Sequence, residues 1–129
     1  MARPRSKQPT NAELAILRVL WDLGPSTVRE VHEALPRGDD VGYTTVLKLL
    51  QIMVDKGLAK RSEQGRGHVY RAALSREVTQ QKMVTDLMDR AFGGSAAGLV
   101  MQALSAKPAT EDELKRIREV IDRAREKAP

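Results

Sequence analysis

Tyr43, Thr44, Thr45, Lys48 and Gln51 gather a phenol, two hydroxyls, an ammonium and an amide on one side of a short segment. The other side carries Val46, Leu49, Leu50 and Met53 at i, i+3, i+4 and i+7, so the segment reads as a helix with an inward apolar face. The polar groups can give and take hydrogen bonds, but none forms a nucleophile with a base. Their chemistry is recognition: short donors on an exposed helix reach phosphates or the base edges of a groove wide enough to admit a helix. Lys60, Arg61, Arg66 and His68 follow closely, with Arg66 at the tip of Gln64-Gly65-Arg66-Gly67. From Lys56 to Arg71 five Lys or Arg stand against one acid, Glu63, a local net charge of +4 that suits a polyanion. Two plainer readings compete: a basic hairpin can simply discourage strand addition, and threonines at a helix start can simply cap it.

Other elements must hold these groups. Gly57 follows the last apolar position of the helix, where a residue tolerant of positive φ ends it. Leu58–Ser62 and His68–Arg71 then read as two strands around a glycine-bearing turn. Upstream, Thr10 and Glu13 have capping-box spacing, and a first helix over about 11 to 22 puts Leu14, Leu17 and Trp21 on one side. Gly24-Pro25 ends it. Ser26 is placed to cap a second helix, Thr27 to Leu35, with Val28, Val31 and Leu35 spaced for burial, and the loop 36–40 breaks that helix. Three helices and a hairpin in this order predict a winged helix-turn-helix over residues 10–73, preceded by a basic tail over residues 1–9.

Beyond Leu74 the pattern becomes purely helical. Ser75 can cap a helix from Arg76 to Phe92, in which Val84, Leu87, Met88 and Ala91 form a stripe ended by Gly93-Gly94. A short helix, Ser95 to Leu104, carries Leu99, Val100, Ala103 and Leu104. After Pro108 another begins at Thr110, with Glu113 in capping-box position and Leu114, Ile117, Ile121 and Ala124 along one side. Two heptads are too few for an independent coiled coil, so these stripes are expected to cover a second copy. The alternative is an ordinary intrachain core. The fold expected is therefore mainly α, a winged helix followed by a helical dimerisation region over residues 74–129.

Composition narrows the function. Lys plus Arg outnumber Asp plus Glu by 12 to 8 over residues 1–72 and by 10 to 9 over residues 73–129, which places the polyanion near the first half. There is no cysteine, hence no disulfide framework. His32 and His68 have no partners at catalytic or metal-ligand spacing, so neither an enzyme, a metal nor a cofactor is expected. No apolar run is long enough for a signal segment or a membrane span, and a cytoplasmic protein is the expectation. The competing class is a winged helix that docks proteins without specific DNA binding. The exposed Thr44, Thr45 and Lys48 and the cationic wing favour DNA.

The segments TNAELAILRVLWDLGPSTVREVHEAL, GYTTVLKLLQIMVDKGLAKR and GRGHVYRAALSREV also resemble the BlaI/MecI type of penicillinase repressors, bacterial winged-helix regulators, over roughly residues 9 to 105. The resemblance implies a homodimer on a palindromic operator that represses its own operon and a resistance or stress operon. It also implies release triggered by a membrane-bound sensor metalloprotease. Two features depart from that pattern. Copper-sensing relatives carry clustered cysteines, and with no thiolate here that route is excluded. The Asn-Phe bond cut in antibiotic-responsive members is replaced by Ala91-Phe92.

Overall fold

Thr10 and Glu13 close the reciprocal cap that their spacing predicts. The Glu13 amide donates to Thr10 Oγ1 at 3.2 Å, and the Thr10 amide donates to Glu13 Oε1 at 2.9 Å. They start α1, Asn11–Leu23, which Gly24 ends at φ 81°. A computed structural model describes residues 8–36, 41–65 and 67–129 of the chain. In order they form α1, α2 (Val28–Ala34), α3 (Tyr43–Lys56), β1 (Ala59–Gln64), β2 (Gly67–Ala72), α4 (Arg76–Ala91), α5 (Ala96–Ala106) and α6 (Glu111–Glu126). The mainly helical class and the hairpin agree with the sequence reading.

Two local expectations are corrected. Ser26 is not the cap of α2: Thr27 caps it, in a second reciprocal pair with Glu30. Ser26 is instead buried, and its backbone exchanges two hydrogen bonds with Tyr70, at 2.9 and 2.8 Å, adding one rung to the hairpin edge. The connection after α1 is thereby pinned to β2. The inward side of α1 is also broader than Leu14, Leu17 and Trp21 suggested. Ile16, Leu17, Val19 and Leu20 are buried, while Leu14 and Trp21 are half-buried at the edge. The reason is that α1 packs against α2, α3 and β2 at once, which widens the covered stripe.

The head's core is built from Ile16, Leu17 and Leu20 of α1, Val28 and Val31 of α2, and Val46, Leu50 and Met53 of α3, closed below the hairpin by Leu58, Ala59 and Tyr70. Gly57 takes the left-handed conformation at φ 80° and donates its amide to the Met53 and Val54 carbonyls, so α3 stops where the chain turns into β1. Trp21 Nε1 donates to the Leu74 carbonyl at 3.0 Å. Arg76 lies 5.5 Å from the centre of the Trp21 ring and pairs with Asp22 at 2.6 Å. These contacts root the first turn of α4 on α1.

The chain divides into two compact units, ending and beginning at Val84 and Thr85, so the boundary falls within α4. In the second unit, Gly93 and Gly94 adopt positive φ and the Phe92 and Gly94 amides both bond the Met88 carbonyl, which closes α4. Ser95 caps α5 through the Gly98 amide. Thr110 and Glu113 form a third reciprocal cap at α6, in which hydrogen bonding to Thr110, its backbone amide foremost, holds the Glu113 carboxyl below its ordinary value. Neither α5 nor α6 buries a single residue within the chain.

Candidate nucleic-acid interface

The start of α3 decides what its polar face is free to do. Its N-cap is Gly42, which has no side chain, so no side-chain cap bond forms there. The Thr44 and Thr45 hydroxyls are therefore not spent as caps. Tyr43, Thr44, Thr45, Lys48 and Gln51 are all exposed, while Val46, Leu50 and Met53 on the opposite side are fully covered. Thr44, Lys48 and Gln51 follow one another at i, i+4 and i+7 and share a stripe. Tyr43 stands at its end, half exposed, with its ring edge-on to His32 of α2 at 6.2 Å.

The hairpin sorts the cations by register. Lys60 pairs with Arg71, Arg61 with Tyr70 and Glu63 with His68. Directly paired residues share a face, and successive residues alternate faces. Lys60 and Arg61 therefore project to opposite sides: Lys60 joins Arg71, and Arg61 joins His68 and Glu63 on the side that continues from buried Tyr70. All are exposed. Arg66, expected at the tip, lies outside the described residues. Arg71 was legible only as one charge among five; the register is what sets it beside Lys60.

Lys56 leaves the cationic set. Its ammonium bonds Glu13 Oε1 at 2.7 Å and the Gln8 carbonyl at 3.2 Å, with its side chain only 11 % exposed and that of Glu13 2 %. Burial pushes the Glu13 carboxyl up. The Lys56 ammonium and the Thr10 donors outweigh it, and the carboxyl lies below its ordinary 4.5. The pair ties the end of α3 to the start of α1, a structural role that charge counting could not separate from a phosphate contact.

The residues expected to cover a second copy stay open in the single chain. Val84, Leu87, Leu114 and Ile121 are 41–48 % exposed, Ala91 is exposed, and Met88, Leu99 and Ile117 are half-buried. Among the described residues no group of three His, Cys, Asp or Glu could hold a metal ion, and no helix is long and apolar enough to cross a membrane.

The family model of the penicillinase repressor matches residues 9–123. The chain belongs to the penicillinase repressor family. That family is one of transcriptional repressors, not of enzymes. Relatives with which this member aligns include the transcriptional regulator BlaI of Mycobacterium tuberculosis, 35 % identical over 91 residues. The match takes in 68 % of this chain and 66 % of that relative, just under two thirds of its length. Among solved structures, a CopR repressor is similar at 35 % identity over 51 % of this chain and 96 % of that one, with a TM-score of 0.45. A probable transcriptional regulator from Pseudomonas aeruginosa is similar at 19 % identity over 89 % and 77 %, also with a TM-score of 0.45. The assignment rests on the family match.

Proposed function

We propose that this penicillinase-repressor member is a cytoplasmic, homodimeric repressor that binds a palindromic operator and blocks transcription by occupying the promoter. Residues 10–73 serve as the DNA-reading head and residues 74–129 as the dimerisation region. The observation that carries the reading is the exposed polar face at the start of α3, free of any side-chain cap, set opposite Val46, Leu50 and Met53, which the core covers completely. Tyr43, Thr44, Thr45 and Lys48 meet base edges or the phosphates beside them. Lys60, Arg61, Arg66 and His68 of the wing hold phosphates, and Arg71 joins them through its pairing with Lys60.

One head reaches few base edges, so two heads on a twofold axis read half-sites about 34–36 Å apart or a multiple of that spacing. The open stripes on α4, α5 and α6 supply the dimer contacts. The genes controlled are its own operon and a resistance or stress operon. A membrane-bound sensor metalloprotease is the family route to release, and the Ala91-Phe92 bond is where such a cut would be sought.

The test is fluorescence anisotropy on labelled DNA from the protein's own promoter, against a scrambled duplex of equal length at several salt concentrations. Two chains per site and a preference of about 10³ or more near physiological salt are expected. Equal, salt-erased binding to both duplexes would overturn the reading.

A further inference from the structure

Helix α6 carries its charge in a polar order along its length. Glu111, Asp112 and Glu113 fill the first turn, and Arg123 and Arg125 lie in the last, followed by Lys127. Its apolar seam, Leu114, Ile117, Ile121 and Ala124, is only partly covered within the chain: Leu114 is 41 % and Ile121 45 % exposed, Ile117 is half-buried, and no residue of α6 is fully buried. We infer that α6 packs against α6 of a second copy, and that the two run antiparallel. The inference rests on the homodimer proposed above and adds the orientation that the charges select.

The choice follows from what flanks the seam. Reading it as a heptad, Glu111, Arg118 and Arg125 line one flank and Glu113, Val120 and Lys127 the other. In an antiparallel pair that layers Leu114 on Ala124 and Ile117 on Ile121, each flank meets the same flank of the other copy. Glu111 then faces Arg125 and Glu113 faces Lys127, each contact made twice by symmetry. Val120, 55 % exposed in the single chain, meets itself on the axis. The like-charged contact is Arg118 with its own copy. A parallel pair sets both acidic first turns side by side and both basic last turns side by side, and keeps only Glu113 against Arg118. The favourable match of acids and bases with the helix's own dipole explains their ends. The cap with Thr110 fixes Glu113, but neither the dipole nor the cap explains why Glu111, Arg125 and Lys127 occupy the seam's flanks.

Because the chain contains no cysteine, introduced thiols report alone. Full-length Leu114→Cys and Ala124→Cys proteins are oxidised separately and after mixing and re-equilibration, with dimerisation followed by sedimentation. In the antiparallel pair each thiol lies about 15 Å along the axis from its own copy, beyond the reach of a disulfide, while the mixed dimer brings the two into one layer. The expected result is a covalent dimer in the mixture and in neither protein alone. Crosslinking of either single variant by itself means parallel helices and overturns the inference. A dimer that crosslinks in no combination removes α6 from the seam and also overturns it, while leaving the homodimer standing. A monomeric unsubstituted protein defeats the homodimer and this inference together. As a second reading, Glu111→Lys, which leaves the Thr110–Glu113 cap in place, should raise the dimer dissociation constant by about 3- to 30-fold, and adding Arg125→Glu should restore it.

Discussion

Replacing Lys56 by Met tests whether the α3–α1 tie is structural. The substitution keeps the stem but removes the ammonium from Glu13, whose side chain is 2 % exposed. Breaking a buried pair by deleting one partner costs about 3–5 kcal/mol, because the remaining charge is left uncompensated. The lower end applies here: Lys56 is 11 % exposed, and Glu13 keeps the Thr10 amide. A loss of about 3 kcal/mol lowers the melting temperature of a domain this size by about 12–24 °C. The sign of the pH dependence is a second readout. In the unaltered protein the Glu13 carboxyl lies below its ordinary 4.5, so its contribution is present at neutral pH and lost as pH falls through the lowered value. In Lys56→Met burial dominates and raises that carboxyl, so the deficit relative to the unaltered protein should shrink on acidification towards pH 4. Calorimetry of both proteins, with the Glu13→Gln/Lys56→Met double variant recovering most of the loss, completes the assay. Under conditions where the variant is folded, its DNA salt slope should match that of the parent, since the Lys56 ammonium is held by Glu13 and the Gln8 carbonyl. A loss below about 1 kcal/mol with no change in pH dependence would refute the buried-pair argument.

Thr45→Ala and Lys48→Ala should change which operator is preferred, read by competition with single-base variants of the site; a uniform loss across all sequences would remove them from base reading. Arg61→Ala and Arg66→Ala should each weaken binding evenly and flatten the salt slope by about one unit, and an unchanged slope would take that arginine off the phosphates. The Ile117→Asp/Ile121→Asp protein should sediment as a monomer with an intact head by circular dichroism, and persistence of the dimer would exclude α6 from the interface. Trp21→Phe should cost about 1 kcal/mol in urea denaturation, because the Leu74 carbonyl loses its indole donor; no loss would mean that water replaces the donor freely.

The helices were legible because their signals are local. Thr10 with Glu13 and Thr110 with Glu113 satisfy each other's backbone within four residues, and Gly57 supplies the positive φ that ends α3, so these boundaries needed no partner from elsewhere. The same holds for the apolar face of α3, whose spacing alone separates Val46, Leu50 and Met53 from Thr44, Thr45 and Lys48. What the chain could not say by itself was which cations are spoken for. Lys56 and Lys60 look alike four residues apart, yet one is sealed against Glu13, 43 positions away, and the other is open beside Arg71. Ser26 likewise looked like a cap, until its backbone proved to be engaged by Tyr70 from the far end of the hairpin. The sequence by itself determined the order of elements, the caps of α1 and α6 and the polar face of α3, because periodicity and capping act within a few residues. Only the tertiary structure decided which charges are consumed in holding the head together and which stripes remain open, because burial and strand register depend on residues that meet only when the chain has folded.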